Sequence, residues 1–292
     1  QIYQILKLDE LIGDSVTRLI VIPDNYLYRI PLDVLPFVEP NGAFSFGAAS
    51  YLLERFHLEY YSSLNEKWTN SRYRHTPFDI DLSAFAISDF SEFTDKDLPS
   101  LPFASQEVRV VDRMLTQFDK KSIFIEKEAT KQAFINQVAL SKIVHIATHS
   151  EVSEQDPMFS KIYLNVENES APVTNQALFA YELYDKNLHS ELIVLNSCSS
   201  GSGEFLQGSG IMGITRAMRY AGAQSLALNL WAVNDKIASD FAGVFYDALN
   251  QGSSKSEAMR TAKLYLLENG NANPHFWGAY MLIGNPSQIT KK

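Results

Sequence analysis

Two short apolar runs constrain the fold of this chain more than any other feature. SKIVHIATHS (residues 141–150) and ELIVLNSCSSGSG (residues 191–203) are rich in β-branched residues and leucine, and both end in small polar residues. An apolar run of this length, bounded by turn signals, reads as a strand buried on both faces of a mainly parallel sheet. In such a sheet the crevice beyond the carboxyl ends of the strands is where ligands bind. His149 falls at the end of the first run. Cys198, the only cysteine in the chain, falls at the end of the second.

The remaining pattern alternates strand with helix. TRLIVIP (17–23), SAFAISDF (83–90), KSIFI (121–125), AQSLALNLWAV (223–233) and the segment 275–286 are strand patterns, and MFSKIYLNVENES (158–170) is a hairpin-like excursion. Ser105 is placed to cap a helix that turns Val108, Val111 and Leu115 inward, and Thr130 one that turns in Phe134 and Val138. A short helix is predicted over 173–183 with Thr174 as its cap. The next, over 210–222, carries Ile211, Ile214 and Met218 on its inner face and stops at Gly222. A helix from about Lys236 to Leu249 carries Phe241, Phe245 and Leu249 on one stripe, and residues 254–270 form a capped amphipathic helix. Residues 66–81 read as a surface loop. Alternation of this kind gives an α/β chain with helices on both faces of the sheet. Residues 1–100 are less regular and are expected to pack on the same sheet as a pseudo-subdomain, with residues 101–292 as the core. The chain opens at Gln1 inside patterned sequence, so it reads as the carboxyl-terminal piece of a longer protein.

Composition narrows the chemistry. The formal charge of −9 argues against nucleic acid, whose backbone needs a cationic surface. No apolar run approaches the roughly 20 residues that cross a bilayer. One cysteine excludes an internal disulfide and thiolate metal clusters, and it fits a reducing, cytoplasmic compartment. The six histidines are scattered, and the chain offers no Gly-rich nucleotide loop and no GxSxG, so no cofactor or metal is expected.

A cysteine attacks a carbonyl as thiolate, and a neighbouring histidine supplies the deprotonation. His149 and Cys198 lie 49 residues apart at the ends of two strands of one sheet, which brings such residues side by side. The backbone N–H of Cys198, and those of the turn containing Gly201 and Gly203, are candidate oxyanion donors. Each residue alone has an ordinary structural reading: a cysteine after LIVLNS as a small buried core residue, a histidine as a core or surface group. His145, two residues before His149, shares its face. It is either a buried, hydrogen-bonded neighbour of the pair or the base itself.

HIATHS, LIVLNSCSSGSG, QGSGIMGITRAMRYAGAQSLALNLWAVND (207–235) and FWGAYMLIG (276–284), in that order, resemble the CHAT domain, a caspase- and separase-like cysteine peptidase family. The earlier pieces LIVIPDNYLYRIPLDVL (19–35), YLLERFHLEYYSSL (51–64) and LPFASQEV (101–108) follow the same course, so the resemblance covers nearly the whole chain. It implies a three-layer α/β/α sandwich with a mostly parallel six-stranded core, of the caspase–hemoglobinase kind. It also implies a Cys–His dyad endopeptidase acting on a protein or peptide, often attached behind helical repeats. The family's catalytic histidine, second in its H-x-x-x-H string, lands on His149, and its nucleophile on Cys198. Relatives usually follow the histidine with a glycine whose N–H lines the oxyanion hole. Here it is Ser150, which keeps the N–H but makes a positive φ costly. Arginine-cleaving relatives place an acid after the strand that follows the cysteine strand, where this chain has Asp235; an ordinary helix N-cap is the other reading of that residue. Glu204 either orients the dyad or holds the glycine turn. Trp231 and Trp277 either wall a cleft or fill the core. The alternative to an active peptidase is a caspase-like binding or signalling module.

Overall fold

The computed structural model describes residues 6–23, 27, 30–38, 45–69, 77–93, 97–153, 155–167, 176–196 and 211–290. At its centre is an eight-stranded sheet. Its strands are β1 (Arg18–Val21), β2 (His57–Tyr60), β3 (Ile80–Ala86), β4 (Lys121–Ile125), β5 (Ser141–Ala147), β6 (Leu192–Leu195), β7 (Ser225–Asn229) and β8 (Tyr280–Gly284). In space they run β1-β2-β8-β7-β6-β5-β3-β4. Every neighbouring pair is parallel except β7 with β8. The stretch from β4 to β8 is the six-stranded, mostly parallel core that the resemblance implies. β1 and β2, from the amino-terminal fifth of the chain, extend it past β8.

Five longer helices cover this sheet: α1 (Ala104–Met114), α2 (Lys131–Val138), α3 (Ile211–Tyr220), α4 (Asp235–Asn250) and α5 (Lys255–Glu268). β5 is buried along its whole length, and its residues feed two cores in alternation. Val144 and Ile146 pack with Phe134 of α2 and Ile214 and Met218 of α3. Ile143 and Ala147 pack with Val108 and Val111 of α1, Phe245 of α4 and Met259 of α5. Burial on both faces is why these strands carry continuous apolar runs instead of an alternating pattern. A second, three-stranded antiparallel sheet joins Ser150–Glu151, Lys161–Tyr163 and Ala177–Phe179, with Ser150–Glu151 at its edge.

Several local readings change. α1 begins at Ala104, so Ser105 sits inside its first turn. The N–H of Ser105 is met by Ser88 Oγ from the end of β3, which takes over the capping role. The cap of α4 is Asn234, whose side chain accepts from Lys236 N, and Asp235 is the first helical residue. Residues 177–179 form a strand and 180–183 a single 3₁₀ turn where a helix was predicted, because Leu178 pairs with Ile162. Thr174 lies outside the described residues. The predicted loop at 66–81 contains the end of a short helix, Leu64–Thr69, and the start of β3. Thr130 caps α2 as predicted, accepting from Ala133 N, and Gly222 ends α3 at φ 113°.

Candidate active site

β5 and β6 are register partners from Leu192 with Ile143 to Leu195 with Ile146, and Asn196 N–H extends the ladder to Ile146 O. His149 follows Ile146 by three positions, as Cys198 follows Leu195. Just beyond β5, Thr148 Oγ1 donates to Tyr163 O and Tyr163 N–H donates to His149 O, so the small sheet holds this strand end through both backbone groups of Tyr163.

His149 is 1% exposed, and its ring rests on Phe90 with centroids 4.5 Å apart. Its Nε2 is 2.7 Å from Pro99 O. A carbonyl only accepts, so Nε2 carries a proton and the ring's lone pair is on Nδ1. Burial pushes the imidazole below its usual pKa, against a smaller upward pull from the Pro99 carbonyl. Ser150 pairs with Ile162, and φ is not positive there. Since the carbonyl of His149 faces the small sheet, the N–H of Ser150 faces the other way, out across its edge.

His145 is fully buried at the middle of β5, away from Pro99. Its Nδ1 is 2.9 Å from Tyr246 Oη, and its Nε2 lies 2.9 Å from Glu107 Oε1 but off the line a hydrogen bond needs. Glu107, buried on α1, accepts from Asn196 Nδ2 at 2.6 Å, and Asn229 Nδ2 donates to Asn196 Oδ1. These side chains tie α1, β5, β6 and β7 together beneath the strand ends. A cavity of about 180 Å³ opens above them, lined by His149, Asn196 and Glu107 among others.

Cys198 and Glu204 lie outside the described residues, as does the side chain of Asp235. Trp277 is core, fully buried with its ring 5.0 Å from Tyr51. Trp231 donates to His275 O and lies parallel to that imidazole, while Ala232 and Val233 are the residues of its segment that line the cavity. Two parts of the site are new: the Pro99 carbonyl and Glu107. No side chain announces a carbonyl. Glu107 did leave a signal, an acid in the buried stripe that runs through Ala104, Val108 and Val111. Among the described residues no group of three or more His, Cys, Asp or Glu is placed to hold a metal, and no helix is long and apolar enough to cross a membrane.

The CHAT domain family matches residues 1–285. Tetratricopeptide repeat protein 28 of Homo sapiens is 25% identical over 312 residues, which covers 93% of this chain and 12% of that protein. Its Mus musculus counterpart is 25% identical over 219 residues, 65% of this chain and 9% of that protein. The chain thus spans about a tenth of the length of these curated relatives. Among solved structures, the Arg-specific cysteine proteinase gingipain R superposes with a TM-score of 0.59 at 14% identity, covering 99% of this chain and 68% of that one. The complex of Porphyromonas gingivalis RgpB pro- and mature domains gives 0.61 at 12%, over 99% and 69%. The fold is that of the caspase-like cysteine peptidases.

Proposed function

The chain belongs to the CHAT domain family, and from that premise we propose that it is a cysteine endopeptidase in which His149 is the base and Cys198 the nucleophile. The observation that carries this reading is the state of the His149 ring. Its Nε2–H is given to Pro99 O, and burial favours the neutral ring over imidazolium. The Pro99 carbonyl assigns the acceptor role to Nδ1, the tautomer a general base at that nitrogen needs. The register of β5 and β6 supports Cys198 as its partner, since His149 and Cys198 follow the paired Ile146 and Leu195 by the same three positions in sequence.

In this mechanism Nδ1 takes the Cys198 thiol proton as sulfur attacks the scissile carbonyl. The oxyanion is met by the N–H groups of Ser150 and Cys198. The Ser150 N–H points away from its own ladder without a left-handed backbone, so serine serves there as glycine would. Imidazolium then protonates the departing amine, and water hydrolyses the thioester. Pro99 O holds the ring in one tautomer and steadies the transient cation. The substrate is a protein or peptide. A helical-repeat region of a longer protein, as in the relatives named for tetratricopeptide repeats, would recruit or restrain the site.

Reaction with a peptidyl acyl-ketone probe tests this. Labelling is expected in the intact chain and lost in both Cys198→Ala and His149→Ala. Labelling no faster than that of a free thiol, in a folded chain, would sink the peptidase reading and leave a caspase-like binding module.

A further inference from the structure

The cavity beside His149 is built for one kind of side chain. Leu101, Ala104, Ala147 and Val233 make its walls apolar, while its polar lining includes Asn196 and Glu107. Its size suits a single extended side chain and falls below the range of sites that enclose a whole small ligand. Ala232 at its margin is exposed, whereas Glu107 is 3% exposed, so the carboxylate stands at the buried end.

The contacts around Glu107 converge on one of its two oxygens. Asn229 donates to Asn196 Oδ1, which fixes the Asn196 amide with Nδ2 toward Glu107 Oε1. His145 also stands against Oε1, off the hydrogen-bond line. Among the described residues none donates to Oε2, and no lysine or arginine pairs with Glu107. Oε2 thus has no protein donor among the described residues while Glu107 lines the cavity, and a cationic donor entering there would meet a carboxylate oxygen at its inner end. Apolar walls with an acid at the inner end match a long aliphatic stem with a cationic head.

We propose that this cavity receives a lysine or arginine side chain of the substrate next to the scissile bond, anchored by Glu107. The assignment rests on the peptidase reading and makes Glu107, not Asp235, the residue that selects the substrate.

Peptidyl acyl-ketones differing only at that side chain test it. Arg or Lys probes are expected to label Cys198 roughly 10- to 100-fold faster than Gln probes, the range that a hydrogen bond to a charged group supports. Asp probes should be slowest. In Glu107→Gln, which keeps the shape and still accepts from Asn196, the ratio of basic to neutral rates should collapse. A loss of Asn196 positioning would lower all rates together and leave that ratio intact. Cys198-dependent labelling without a basic preference overturns this inference and spares the peptidase. If no probe labels through Cys198, binding to the Cys198→Ala chain decides the pocket separately. There butylguanidinium should bind at least about tenfold tighter than uncharged butylurea, by the same interaction, and Glu107→Gln should erase the difference. Equal binding, or no saturable binding of either, overturns it.

Discussion

His149 shows how one ring is made a base by what surrounds it. Phe90 and the strand ends remove water, which disfavours imidazolium, and Pro99 O dictates which nitrogen keeps its proton. Because the folded-state pKa lies below the usual 6.5, the unfolded chain binds a proton in that window that the folded chain refuses. The stability contribution is therefore full above that value and is lost as pH falls through the lower, folded one. Thermal melts should show the chain losing stability on acidification below neutrality, with a shallower fall in His149→Asn. Probe labelling should persist to more acidic pH than an ordinary imidazole allows. At this scale the sequence was only half readable. His149 and Ser150 stand out through motif and strand position. Pro99 acts through an atom every residue has, and the one sign of Glu107, an acid on the buried stripe of α1, is easily passed over because Val108 and Val111 explain the helix without it.

Among the elements, α3 packs closely on the turn that leads into the small sheet. A Cβ added at Gly213, in the first turn of α3, would stand 2.3 Å from Pro157 O and 2.8 Å from Ser160 Oγ. The carbonyl belongs to backbone and has little room to yield. Gly213→Ala should destabilise the chain by about 1–3 kcal/mol, the usual cost of overpacking, as read by denaturant unfolding. It should also slow probe labelling, because α3 is the helix that follows the Cys198 segment and the small sheet holds the end of β5. Elements buried on two faces, such as β5 and β6, were plain from their unbroken apolar runs. Caps and short strands were not. Ser88 caps α1 from 17 residues away, and Ala177–Phe179 is a strand only because Lys161–Tyr163 lies beside it.

Across the molecule, the first 60 residues are bonded into the core by more than two added strands. Lys263 of α5 reaches Asp33 at 3.1 Å, both buried, and Tyr60 Oη donates to the same carboxylate oxygen. Arg260 donates to Leu53 O and Glu54 O. Removing one member of a buried pair strands the other, so Lys263→Met should cost about 3–5 kcal/mol in equilibrium unfolding. Lys263→Met with Asp33→Asn should cost less, since the charge is gone and Tyr60 keeps an acceptor. None of this pairing was legible in the sequence, where Asp33 and Lys263 are 230 positions apart.

The single antiparallel seam between β7 and β8 has a practical corollary. It turns the last strand around, so the chain leaves the sheet at the amino ends of β5 and β6, where Thr290 O meets Lys142 Nζ and Thr290 N–H meets Glu191. His149 is at the opposite end. A handle attached after Thr290 would therefore hold the molecule by its back, leaving the cavity turned toward solution for an immobilised binding assay.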